Sequence, residues 1–172
     1  GREILSQGSS GNAFYIGYEP TSRSFRAGDG WATTGVPFPL DKWTHVAVVK
    51  TGGNTLLYTN GVLARSKGST IPNPAASGFF DLGRQYANNA EFWSGKIDEV
   101  RVWNVARDAT QILLNFNRRL SGTNSGLTAR SRFDEGAGSV VLESSPSQNH
   151  GLLYNGGGRT DSDASINLPV PG

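Results

Sequence analysis

The sequence predicts an all-β antiparallel sandwich with one short helix. Three observations point there. Short runs rich in β-branched and aromatic residues alternate with Gly, Asn and Pro punctuation, the pattern of strands joined by tight turns. One stretch near residue 110 has apolar residues at helical spacing, and it is too short to shift the class. Glycine is abundant, 23 of 172 residues, without the period of three that marks collagen.

The elements follow in order. Residues 13–18 read as a strand after the turn at Gly8 to Asn12. Residues 23–27 and 31–34 are short and ambiguous. Trp43 to Lys50 is a central strand, its start punctuated by Pro37, Pro39 and Asp41. Gly52-Gly53 and Asn60-Gly61 supply the positive φ of two hairpin turns, with strands 55–59 and 62–67 around them. Residues 68–78 form a loop, and Phe79 to Arg84 another strand. Phe92 to Trp103 is expected to hold a long strand, with Ile97, Val100 and Val102 toward the core, and Trp43 and Trp103 also serving the core. A helix over Ala109 to Leu120 puts Ile112, Leu113 and Phe116 on one face, capped by Asp108 or Asn104. Arg118 and Arg119 suit its last turn, and Gly122 stops it. Leu127 to Phe133, 139–143 and 151–154 are short strands in a Gly/Ser/Asn-rich tail.

Composition excludes several classes. Without Cys there is no disulfide framework, thiolate nucleophile or cysteine zinc site. Two His, His45 and His150, are too few for a histidine metal site. A net charge of +2, with no basic cluster longer than Arg118-Arg119, argues against nucleic acid. No apolar run approaches the roughly 18 residues of a membrane helix. The chain starts at Gly1 in a strand-like run, without initiator Met or signal peptide, and so reads as a processed piece or an excised domain.

Four segments carry a resemblance. They are Trp43-Thr44-His45-Val46-Ala47-Val48, Leu57-Tyr58-Thr59-Asn60-Gly61, Asp81-Leu82-Gly83-Arg84, and Phe92 to Asn104 followed by Ala106-Arg107. Their order and spacing resemble the laminin G-like, concanavalin A-like jelly rolls of bacterial extracellular proteins, which pentraxins resemble in architecture. The resemblance implies a two-sheet jelly roll over residues 1–126. Residues 127–172 form an extension in which Phe133-Asp134-Glu135-Gly136, Glu143-Ser144-Ser145 and Asn149-His150-Gly151 resemble the start of a following repeat. The family's first strands are expected before Ile4. Residues 133–170, another chain or a removed piece would have to supply them, because open sheet edges invite pairing.

The resemblance also implies a structural Ca²⁺ with Asp98 as one ligand and loop carbonyls as others, since calcium takes about six to eight oxygens. Strand alternation pointing Asp98 outward, or a pair with Arg101, is the alternative. Asp134, Glu135 and Asn149 are weaker metal candidates. Loop aromatics beside amides and arginine are how proteins hold sugars. Trp31, Tyr86, Phe92 and Trp93, with Arg84, Asn88 and Asn89, are therefore the candidate ligand residues. No catalytic residue is assigned. Asp98-Glu99 and Asp134-Glu135 are adjacent, so in a strand they face opposite ways and cannot make a glycosidase pair. His45 reads as a structural mid-strand histidine.

The sequence thus points to a secreted or cell-surface, non-catalytic module that binds a glycan or surface protein in adhesion. The alternative is a structural or assembly module completed by strands from another chain or domain. A glycan hydrolase ranks third.

Overall fold

The computed structural model describes residues 2–9, 12–27, 32–33, 35, 37–68, 80–85, 90–121 and 123–153. The chain divides into two compact units, Gly1–Gly95 with Asp108–Phe116, and Lys96–Arg107 with Asn117–Gly172. Strands predominate, and one helix occurs among the described residues.

The first unit is an antiparallel two-sheet sandwich. β1 (Arg2–Ser9), β2 (Asn12–Glu19), β3 (Ser24–Ala27), β4 (Ala32–Thr33) and β8 (Phe80–Leu82) form one sheet in the order β4-β3-β2-β1-β8. β5 (Val46–Thr51), β6 (Asn54–Thr59) and β7 (Val62–Gly68) form the other, in chain order. Both turns of the second sheet are as expected. Gly52 and Gly53 have φ of 51° and 78°, Asn60 and Gly61 of 48° and 82°, the left-handed geometry that matches strand twist. Asn60 also continues the β5–β6 pairing past Val46 and Thr59: its Oδ1 accepts from His45 N at 2.9 Å, and its N donates to His45 O at 2.9 Å. His45 therefore precedes β5 instead of lying within a strand.

The apolar run of β5 is continuous because both its faces are covered. Val46 and Val48 pack with Ile4 and Phe38 around buried Phe25, Ala27 and Leu57, which joins the two sheets. Val49 and Tyr58, from the other face, bury against Ile112 of the helix, with Ala47 and Leu56 beside them. Phe38 stacks on Phe25 at 4.0 Å and meets Tyr18 edge-on at 5.4 Å.

The helix α1 (Ala109–Asn115) starts at an Asp108 capping box. Asp108 Oδ1 accepts from Gln111 N at 2.7 Å, and Gln111 Oε1 from Asp108 N at 3.1 Å. It ends five residues before Leu120, the predicted end, because Asn115 turns its side chain onto Gln111 O at 2.7 Å, and asparagine is a weak helix former. Arg118 and Arg119 thus lie outside the helix, and Gly122 lies outside the described residues. Ile112 is buried, whereas Leu113 is 41% exposed.

In the second unit β9 (Val100–Trp103) pairs with β10 (Leu127–Ser131), and β11 (Val140–Val141) with β12 (Gly151–Leu152). The long strand expected from Phe92 is only these four residues of β9. Gly95 and Glu99 take φ of 158° and 49°, and Asp98 Oδ1 accepts from Glu99 N at 2.8 Å, a local turn that replaces strand pairing. Ile97, Val100 and Val102 are half-buried. Trp103 is half-buried under the Arg107 guanidinium at 4.3 Å, and Trp43 is exposed, so neither is a buried core residue. β11 and β12 pair only with each other, so among the described residues the tail adds no strand to the five-strand sheet.

Leu57 has no exposed surface and sits where the two sheets meet. Leu57→Ala is expected to lower unfolding free energy by about 2–5 kcal/mol in urea denaturation. A loss under about 1 kcal/mol would contradict this core assignment. At Gly61 a Cβ would meet Phe116 Cδ1 at 2.8 Å and Leu113 Cα at 3.2 Å, on top of the positive φ. Gly61→Ala should therefore destabilise in the same assay, by more than the roughly 1 kcal/mol that φ strain costs.

Candidate functional site

A charged row crosses the five-strand sheet. In register, Glu3 on β1 lies opposite Gly17 on β2, and Gly17 opposite Arg26 on β3. Gly17 has no side chain, so the Glu3 carboxylate passes over it to reach the guanidinium. Arg26 Nη2 lies 2.6 Å from Glu3 Oε1 and 3.1 Å from Glu91 Oε2, and Nη1 lies 3.9 Å from Glu19 Oε2. Glu3 is 1% exposed and Arg26 8%. Burial pushes the Glu3 carboxyl up to about 7. The Arg26 charge works against that rise and Glu91 adds to it.

Sequence reading missed this pair of carboxylates, since Glu3 and Glu91 are 88 positions apart. A charged residue opposite a glycine inside strands was the available signal. The pair is not a glycosidase dyad, because Glu3 is sealed from solvent and a substrate has no path to it.

The segment after β8 carries the described ligand candidates. Trp93 N donates to Gly83 O at 2.9 Å, Gln85 N to Ala90 O at 3.2 Å, and Glu3 N to Glu91 O at 2.8 Å. These bonds set the segments bearing Arg84 and Trp93 side by side. Asp81 clamps Arg84 at 2.7 Å, and buried Ser6 donates to Arg84 O at 2.8 Å. Trp93 is half-buried, meets Tyr18 edge-on at 6.4 Å and covers the Gly95 backbone, so its ring serves packing. Phe92 is different. It is 46% exposed, and Arg2 Nη1 donates to its carbonyl at 3.0 Å. Trp31, Tyr86, Asn88 and Asn89 lie outside the described residues.

The metal candidates are separately engaged. Asp98 caps Glu99 N, as noted. Arg101 pairs with Glu99 at 3.0 Å. Arg119 grips Asp134 through two bonds of 3.0 Å. Glu135 Oε1 accepts from Leu142 N at 2.6 Å, and Asn149 N donates to Glu143 Oε2 at 3.3 Å. Among the described residues no three His, Cys, Asp or Glu side chains are grouped so that they could hold a metal ion. Side chains alone make no calcium cage here. Any Ca²⁺ at Asp98 would draw most of its oxygens from backbone carbonyls.

In the second unit Glu143 is the buried anchor. Arg130 N donates to its Oε1 at 2.7 Å, the Ser145 hydroxyl to its Oε2 at 2.8 Å, and Ser145 N also reaches Oε1. Burial pushes this carboxyl up, but these donors outweigh it and hold it below the usual range. Glu143 N donates to His150 Nδ1 at 3.1 Å. Arg132, Asp134, Glu135, Leu142 and Ser144 line an open pocket of about 240 Å³ in this unit.

No helix among the described residues is long and apolar enough to cross a membrane. A family model, Laminin_G_3 of the concanavalin A-like lectin/glucanases superfamily, matches residues 1–113. A candidate carbohydrate binding protein from Bacteroides ovatus superposes with a TM-score of 0.70 at 20% identity, over 99% of this chain and 50% of that one. The chain thus spans half the length of that protein. An S-layer domain-containing protein from Clostridium thermocellum gives a TM-score of 0.38 at 20% identity, over 66% and 61% of the two chains. Among curated proteins none matches significantly.

Gly17 tests the charged row. A Cβ there would collide with Glu3 Oε2 and lie 2.8 Å from the Arg2 carbonyl, a backbone atom that cannot move cheaply. Gly17→Ala is expected to cost about 1–3 kcal/mol by chemical denaturation. An unchanged midpoint would show that the carboxylate does not cross at this point.

Proposed function

We propose, for a chain that belongs to the laminin G-like family of the concanavalin A-like lectin/glucanases superfamily, a non-catalytic extracellular module that binds carbohydrate. The observation that supports this reading most is the likeness of nearly the whole chain to a candidate carbohydrate binding protein. The described surface adds an exposed aromatic, Phe92, on a segment bonded to the one that carries Arg84. A sugar ring needs an apolar face for its C–H patch and fixed polar groups for its hydroxyls. The Asp81 clamp preorganises Arg84 for that role. The non-catalytic part of this reading takes support from the carboxylates: the acids that converge on Arg26 include a sealed one, and Asp134 is held by Arg119.

A second reading, assembly with a partner, is favoured by β7. Every residue of this strand is exposed, including Val62 at 63% and Leu63 at 48%. An exposed edge strand can template pairing with another chain, here at its apolar start, Val62-Leu63, ahead of Arg65 and Lys67. Calcium is a separate proposal resting on Asp98.

On a glycan array the module is expected to retain at least one polysaccharide class, and Phe92→Ala to weaken that retention about tenfold. Full retention by the variant would remove Phe92 from the site, and no retained glycan by the wild type would favour assembly. Native mass spectrometry then reads assembly directly. For calcium, EGTA is expected to lower the wild-type Tm by several degrees and leave Asp98→Ala unchanged. Equal Tm values with and without EGTA in the wild type would remove the metal.

A further inference from the structure

In the second unit, opposite charges line one open pocket without pairing across it. Arg132, Asp134, Glu135, Leu142 and Ser144 surround a cavity of about 240 Å³. Each charged group is tied to its own side. Arg119 holds Asp134 in a fork of two 3.0 Å bonds. Glu135 Oε1 accepts from Leu142 N at 2.6 Å. Arg132 Nη2 leans onto Leu120 O at 3.4 Å, and among the described residues this guanidinium makes no other hydrogen bond and no ion pair. Strand alternation would part Asp134 and Glu135. They lie instead in a turn between Phe133 and Gly136, at φ of 58° and 66°, and both reach the same pocket. Ser144 is fixed to Arg130: its N and Oγ donate to Arg130 O at 2.8 and 3.1 Å, and its Oγ accepts from Arg130 Nε at 2.9 Å. Leu142, 50% exposed, supplies the apolar surface.

We propose that this pocket is a second carbohydrate site and holds one neutral sugar ring. Donor and acceptors stand apart in fixed positions, so the fitting ligand carries both functions on one small body. Ring hydroxyls do: they accept from Arg132 and donate to the Asp134 and Glu135 oxygens, while a C–H face lies on Leu142. Arg119 and Arg132 balance Asp134 and Glu135, so the surroundings favour neither a net anion nor a net cation. A free amino acid also carries both charges, but its ammonium gains little from Asp134, whose charge Arg119 already meets. The volume lies below the roughly 300–1,000 Å³ of sites that engulf drug-sized ligands, which matches a single ring. The pocket falls outside residues 1–113, the span of the family match. The inference rests on the carbohydrate reading for its ligand class, and on the second unit alone for its place.

Amide ¹H–¹⁵N spectra of the whole chain test the site, with glucose, galactose, mannose, N-acetylglucosamine, glucuronate or alanine added to about 50 mM. At least one neutral sugar is expected to shift the Glu135, Leu142 and Ser144 amides saturably, and more strongly than glucuronate or alanine does. Leu142→Ser and Arg132→Gln should each weaken that response about tenfold, with the Leu57 and Tyr58 amides unmoved as a check on the fold. The wild-type shift map needs no variant. Saturable shifts confined to Phe92 and Trp93 would overturn this pocket and leave the carbohydrate reading standing. Pocket shifts caused by alanine or glucuronate alone would overturn the neutral-sugar assignment. An undiminished response in both variants would overturn the proposed contacts. A map without shifts at either place would also overturn the pocket, while the glycan array decides the wider reading separately.

Discussion

The first unit depends on a hairpin, β5–β6, that is buried on both faces. A sheet of three strands cannot sustain itself when one side is apolar and open to water. Here one side carries Val46, Val48 and Leu57 into the five-strand sheet, and the other carries Val49 and Tyr58 under Ile112. The helix is thus a lid for the second face of that sheet. It is placed with little slack, since Gly61 admits Leu113 and Phe116 only because it has no Cβ. The Asn60-Gly61 turn therefore has two roles: it reverses the chain with the right twist, and it makes room for the helix.

The five-strand sheet solves a different problem. It takes an acidic residue, Glu3, into an environment where an ionised carboxylate is expensive. Arg26 offsets part of that cost, but it also serves Glu91 and Glu19. Burial outweighs the pull of Arg26 on Glu3 and raises its carboxyl. The geometry that permits the contact is the gap at Gly17. The consequence is that a sheet-spanning ion network is coupled to a peripheral segment through Glu91. That segment presents Phe92 and sits beside Arg84, the described residues best suited to meet a ligand.

The second unit uses carboxylates the opposite way. Glu143 is also buried, yet it collects donors from Arg130, Ser145 and Asn149, and stays ionised below its usual range. The contrast with Glu3 is one of donors. Backbone N–H groups that point at an anion stabilise it without competing acids nearby, whereas a shared guanidinium does not. The acidic residues that the family resemblance marked for metal also serve as local ties: Asp134 to Arg119, Glu135 to Leu142 N, and Asp98 to Glu99 N.

Turn chemistry and strand patterning were legible because they are local. Gly52-Gly53 and Asn60-Gly61 demand positive φ wherever they occur, and the unbroken apolar run at Val46 to Val49 requires cover on both sides. The Asp108 cap and the start of α1 follow from the same short range. Helix length and the extent of β9 were misjudged where a side chain competes with its own backbone, as Asn115 and Asp98 do. The sequence by itself therefore determined the sandwich, its hairpins and its family likeness. Only the tertiary structure decided the state of Glu3, the partnership of Arg26 with Glu91, and the exposure of Phe92 beside a packed Trp93. Those depend on which residues from distant parts of the chain share a low-dielectric space, and neither spacing nor composition encodes that.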